Sequence, residues 1–200
     1  QGKTALILTV ENASFLGGDL GRAEELCRDG VRIASLTWNG PNALGSGNQT
    51  REGLTPLGRE AVGVLEDCGI LLDVSHLNDA GLRAVLDTAR RPFLATHSNA
   101  RAVCPHLRNL TDECLKELIA RGCLIGLNYY SPFLRPEGAA GFDDLLRHAR
   151  HISELGGANS LGLGSDFDGA DLPPCLNGCE KVPELGAFLA SRLGAEMSEQ

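Results

Sequence analysis

Two histidines stand at matching points of two successive strand-like runs within residues 70–101, and no other stretch limits the possible folds of this chain so closely. Leu71, Leu72 and Val74 form an apolar run that stops at Ser75-His76, and Pro92-Phe93-Leu94-Ala95 form a second that stops at Thr96-His97. Residues 78–90 between them read as a helix, with Asn78 as cap, Asp79 in the first turn, and Leu82, Val85, Leu86 and Ala89 on one face. A strand, a helix and a second strand make a βαβ unit, whose crossover leaves the strands parallel and adjacent. Both imidazoles then leave the same carboxyl-end rim, where α/β folds carry their chemistry. A lone histidine at a strand end is ordinarily a hydrogen-bonded or capping residue. Two at equivalent ends of neighbouring strands put metal binding on a par with packing, because neutral imidazole is a common zinc ligand.

The same rhythm runs through the whole chain. Residues 5–10 read as a strand ending at Glu11, residues 20–27 as a helix closed by Gly30, and residues 31–36 as a strand running into Thr37-Trp38-Asn39-Gly40. A polar rim loop over residues 41–53 follows; its Gly45 and Gly47 lack the Lys-Ser/Thr ending of a phosphate-binding loop. Thr55 caps a helix that has Pro56 at its first position and runs to Cys68. Beyond Arg101 come a helix over residues 111–121 stopped by Gly122, a strand over 124–128 ending in Tyr129-Tyr130, and a helix over 142–155. His148 and His151 on that helix read as ordinary packing or surface residues. A strand over 160–164 ends at Ser165-Asp166-Phe167-Asp168-Gly169, and the last helix lies around residues 183–193.

Strict β-then-α alternation predicts an α/β chain with a parallel sheet of six βα units, two short of a closed (β/α)8 barrel. Either the sheet is open and doubly wound, or the chain supplies part of a TIM-type barrel. Glu11, Trp38, His76, His97, Tyr130 and Asp166 all fall just after a strand, which favours the barrel, because a barrel gathers all its strand ends whereas an open sheet concentrates its site at one switch point.

The formal charge of −8, and 18 basic residues with no polybasic run, argue against a nucleic-acid partner. No apolar segment is long enough to cross a membrane and no signal-peptide pattern opens the sequence, so the chain reads as soluble. Seven cysteines, an odd number, sit mostly inside helix or strand patterns and read as reduced, buried thiols of a cytoplasmic protein. Cys175 and Cys179 form a close pair with no second pair at zinc-finger spacing.

Glu11, His76 and His97 make a coherent metal site in barrel geometry, because one carboxylate and two imidazoles are a typical catalytic zinc set that leaves a position for water. Each residue also has a plainer reading. Glu11 suits a helix cap or a solvated loop, and Asp166 and Asp168 before Gly169 suit either an Asp-Gly turn or a catalytic carboxylate. Arg101 suits a bidentate anchor for a substrate carboxylate or a helix-end cap. Tyr130 suits a hydrogen-bond donor to a developing oxyanion or a packing residue.

Taken together, VEN at residues 10–12, LTWN at 36–39, DVSH at 73–76, THSNAR at 96–101, LNYY at 127–130 and GSDFDG at 164–169 resemble the renal (membrane) dipeptidase family of zinc peptidases. The resemblance covers nearly the whole chain, and THSNAR with GSDFDG is its specific part. It implies a metal-dependent dipeptidase on a (β/α)8 barrel with two zinc ions, usually a homodimer, that hydrolyses short peptides by a metal-activated water. By the same resemblance Glu11 bridges the metals, His76 and His97 complete one shell, and Arg101 holds the substrate carboxylate. Tyr130 contacts substrate, and Asp166 serves at the substrate's amino end and as the catalytic proton carrier. Trp38 occupies the position of a substrate-contacting histidine in mammalian members. The family's His-x-Asp pair before Glu11, and a closing segment after Met197, are not among these residues, so the ligands here complete one metal site only. Residues 1–200 are therefore expected to be a single hydrolase barrel domain lacking its first and last segments. The alternatives are a metal-dependent amidohydrolase acting on N-acyl amino acids or cyclic amides, and an inactive fragment or binding piece.

Overall fold

Thr55 and Asn78 each cap a helix as expected, and Thr111, expected as the first residue of its helix, is that helix's cap. Their side chains accept hydrogen bonds from the backbone N–H groups of Gly58, Gly81 and Cys114, which satisfies donors that a helix start leaves open. The helices that follow are α2 (Pro56–Asp67), α3 (Asp79–Thr88) and α4 (Asp112–Ala120), after a short α1 (Arg22–Arg28). In α3 the predicted face is buried through Leu82, Val85 and Leu86, while Ala89 lies just past the helix end and is half-buried.

The computed structural model describes residues 3–197, which fall into two compact units, Gln1–Ala95 and Thr96–Gln200. The first holds strands β1 (Leu8–Val10), β2 (Val31–Ser35), β3 (Leu71–Asp73) and β4 (Leu94–Ala95), paired in sequence order and all parallel. The second holds β5 (Leu124–Leu127) and β6 (Leu161–Leu163), again a parallel pair. Its helices besides α4 are α5 (Ser131–Leu134), α6 (Phe142–Ile152) and α7 (Val182–Met197). Among the described residues neither unit shows the reversal of strand order that a doubly wound sheet requires.

Several elements differ from the expected bounds for physical reasons. The register of β1 with β2 slips between Leu8 and Thr9, so the ladder does not extend back through Leu6 and Ile7, which are exposed. The expected helix over 142–155 stops at Ile152 and passes into a wide turn, Ser153–Gly157, where Gly156 adopts φ 94°. The four-residue α5 and the 3-10 turn Ser14–Gly18 are too short to carry a periodic signal. Of the cysteines expected to be buried, Cys104, Cys114 and Cys123 are; Cys27 and Cys68 are half-buried, and Cys175 and Cys179, in the loop ahead of α7, are exposed.

The 41–53 loop is pinned rather than loose. The Asn78 side chain caps α3 through its oxygen and donates from its nitrogen to the carbonyls of Gly47, Thr50 and Glu52 at 3.2, 3.0 and 2.6 Å. Leu44, fully buried, seats the loop on α2: its carbonyl accepts from Thr55 N at 3.0 Å, and a Cβ on Gly58 would collide with that same oxygen. Alanine in a helix interior normally gains about 1 kcal/mol over glycine. G58A is nevertheless expected to destabilise the protein by roughly 1–3 kcal/mol in urea unfolding, because the clash is with backbone. Stabilisation by G58A would mean that the loop does not rest on α2.

Candidate metal centre

Glu11 follows β1 directly, and its backbone is held by the residues after it. Asn12 takes a left-handed conformation, φ 63°, with its N–H donating to Ser35 Oγ at 2.9 Å, and Ala13 N donates to the Ser35 carbonyl at 2.8 Å. These bonds tie the end of β1 to the end of β2. A non-glycine residue in this region is costly and marks a position held by its surroundings. His76 follows β3 through an Asp73 turn, in which Asp73 Oδ1 accepts from Ser75 N at 3.1 Å and from Ser75 Oγ at 2.6 Å. The outcome is a contact between Glu11 Oε1 and His76 Nε2 at 3.5 Å, with the carboxylate half exposed and the imidazole buried. The other ring nitrogen, Nδ1, lies 3.0 Å from Asn39 Oδ1. Trp38 is 52% exposed, its ring centroid 6.3 Å from that of His76.

In the second unit His97 is buried two residues beyond β4, with Nδ1 2.7 Å from Thr96 Oγ1. Ser98 N donates to the Gly126 carbonyl at 2.7 Å, which sets this segment against β5. Among the described residues, Glu11, His76 and His97 form a group whose ligand atoms all lie within 4.8 Å of one another. One carboxylate and two imidazoles at that spacing suit a divalent transition metal.

The strand ends of the second unit carry a chain of amides. The Asn99 side chain exchanges two bonds with the Asn128 backbone, its Nδ2 donating to the carbonyl at 3.0 Å and its Oδ1 accepting from the N–H at 3.1 Å. Asn128 Nδ2 then donates to Asp166 Oδ2 at 3.0 Å, and Asn128 Oδ1 accepts from Tyr130 N at 2.7 Å. Asp166 and Asp168 are both left-handed, at φ 65° and 62°. Arg101 is held by Nε to the Asn109 carbonyl at 2.8 Å and by Nη2 to the Leu107 carbonyl at 3.1 Å. Tyr130 is half-buried with its ring edge-on to Phe133, whereas neighbouring Tyr129 is buried, which pushes its phenol up to about 12.

Asn39, Asn99 and Asn128 are the residues that sequence reasoning passed over. All three lie within the motifs singled out above, and a neutral polar residue at the end of an apolar run is the signal that marks them. The other three histidines serve local structure, and His106 Nδ1 accepts from Arg108 N at 3.1 Å. His148 is fully buried between Ala100 N and the Leu134 carbonyl, and His151 Nε2 is 2.7 Å from Asp112 Oδ1.

Parallel strands in sequence order, with a carboxylate and imidazoles at their carboxyl ends, define the chain as an α/β protein with a candidate metal centre of hydrolase type. Residues 1–199 match the sequence profile of the membrane dipeptidase family, peptidase family M19, and the chain belongs to that family. An uncharacterized protein of Klebsiella pneumoniae, from the pqqA 5′ region, is 33% identical over 193 residues, 90% of this chain and 71% of that protein. A metallo peptidase from Rhodobacter sphaeroides, solved with a phosphinate mimic of the dipeptide L-Ala-D-Ala, superposes with a TM-score of 0.87 at 35% identity. The match covers 93% of this chain and 56% of that one. An amidohydrolase from Pseudomonas aeruginosa superposes with a TM-score of 0.78 at 29% identity, over 83% of this chain and 51% of that one. The chain thus has the family's α/β fold, with about six βα units of the (β/α)8 type, and spans little more than half the length of these two solved relatives. Among the described residues no helix is long and apolar enough to cross a membrane.

Proposed function

We propose that this chain carries much of the active site of a zinc-dependent dipeptidase that hydrolyses short peptides with a free carboxylate. The observation that carries the reading is the Glu11, His76 and His97 ligand set in a member of this family. Zinc bound there would acidify a water and polarise the scissile carbonyl. Arg101 would pair with the substrate carboxylate, and its bonds to two loop carbonyls support this role, because they hold the guanidinium in one orientation. Asp166, oriented by Asn128, would bind the substrate's amino group and carry the proton to the leaving amine. Tyr130 would donate to the carbonyl oxygen as charge develops there, and exposed Trp38 would flank the substrate. The same reading includes a second zinc ion, a single hydrolase domain and a homodimer.

The likeness to the Pseudomonas amidohydrolase favours one rival, a metal-dependent amidohydrolase acting on N-acyl amino acids or cyclic amides. A dipeptide and its N-acetyl form separate the two. The dipeptidase should prefer the free amine by about 10⁴-fold in kcat/KM, since acetylation leaves the half-buried Asp166 carboxylate facing a group it cannot bind. A chelator should abolish turnover and zinc should restore it. Faster cleavage of the acetylated substrate would move the assignment to the rival, and hydrolysis indifferent to chelation would defeat both.

A further inference from the structure

We propose that Asn39 is a positioning residue that holds His76 as the Nδ1–H tautomer, leaving the Nε2 lone pair for the metal; the inference rests on the metal-centre reading above. The geometry begins with Asn39 Oδ1, which lies 3.0 Å from His76 Nδ1. An amide oxygen only accepts, so the hydrogen of a neutral His76 sits on Nδ1 and Nε2 is bare. Nε2 is the atom that faces Glu11 Oε1 at 3.5 Å.

Asn39 is itself held in this orientation. Asn48 Nδ2 donates to the same Oδ1 at 2.9 Å, and turning the Asn39 amide over would set two N–H donors against each other. Its backbone is fixed as well: Gln49 N donates to the Asn39 carbonyl at 3.0 Å and Gly47 N to the Gly40 carbonyl at 3.1 Å. Gly47 is buried where a Cβ would collide with the Trp38 carbonyl, so the loop closes tightly on this turn. His97 has a different neighbour, for its Nδ1 lies 2.7 Å from the Thr96 hydroxyl, which either donates or accepts and so does not by itself select a tautomer. The chain thus places a pure acceptor behind one candidate ligand. Metal-bound histidines are commonly oriented in this way, and loss of the orienting group costs 10- to 100-fold in affinity.

The test compares wild type with N39A and N39D in two measurements. Zinc affinity by chelator competition is expected to fall about 10- to 100-fold in N39A. N39D keeps an oxygen acceptor and is expected to recover most of that loss. Ring-nitrogen NMR of the metal-free wild type, taken at a pH where the ring is neutral, should report His76 as the Nδ1–H tautomer. Wild-type affinity in N39A, an N39D as weak as N39A, or the Nε2–H tautomer of the neutral ring in the wild type would each overturn the inference. If the wild type binds no zinc, the metal-centre reading fails, and the NMR result still decides whether Asn39 sets the tautomer.

Discussion

Replacing His76 with alanine is expected to abolish stoichiometric zinc binding and to lower kcat/KM for a dipeptide by at least about 10³-fold. A catalytic metal contributes several kcal/mol of charge stabilisation, and each 1.36 kcal/mol is a decade in rate. His76 is buried with its two nitrogens directed at Glu11 and Asn39, so truncation removes a donor atom and leaves the Asn39 oxygen one partner short. Some loss of stability should accompany H76A for that reason, and E11Q is the cleaner companion. The Glu11 side chain is 46% exposed, so the amide keeps its shape at little cost to the fold while removing the negative charge. Zinc content by mass spectrometry, kcat/KM and circular dichroism, measured on both variants, separate the metal effect from unfolding. A folded E11Q and H76A with wild-type turnover would sink the assignment of these residues.

The second large effect is a loss of stability in mild acid, centred on His148. Its imidazole is fully buried, Nδ1 accepts from Ala100 N at 3.1 Å, and Nε2 therefore carries the hydrogen and donates to the Leu134 carbonyl at 3.1 Å. Burial is the main reason that its pKa falls from 6.5 to about 4, and the nearby Arg147 pushes the same way. The unfolded chain takes up a proton near pH 6.5 that the folded chain refuses until about pH 4. The neutral ring's contribution is therefore complete above about pH 6.5 and is lost progressively as the pH falls toward 4, for a total of about 3 kcal/mol. Urea unfolding at pH 7, 5.5 and 4 should show this decline. H148Q, which keeps a donor and an acceptor but does not titrate, should flatten it. An unchanged slope in H148Q would place the acid lability elsewhere.

Much of the fold was legible because its signals are local. Thr55 and Asn78 announce helix starts by the chemistry of a cap, and the apolar runs before Glu11, His76, His97, Tyr130 and Asp166 end close to where the strands end. The barrel-type order followed from polar groups at every strand end and agrees with the solved relatives. What stayed hidden depends on pairs of residues far apart in sequence. Asn128 and Asp166 are 38 residues apart, and Asn39 and His76 are 37 apart. Nothing in the pattern around either asparagine names its partner. The turn at Ser153–Gly157 was hidden for the opposite reason, since helical periodicity continues through it while the backbone does not. His148 read as ordinary because a sequence does not distinguish an imidazole on a helix surface from one sealed beneath it.

Asn78 links two regions that a residue map would keep apart. One amide group both starts α3 and draws together three carbonyls of the loop whose Asn48 and Gln49 support Asn39. In a mutational screen, a lesion at this helix cap would therefore carry the phenotype of an active-site defect, although the residue is none of the proposed ligands or substrate contacts. Genetic dissection of this protein would then draw the functional centre larger than its chemistry, with the excess following the loop.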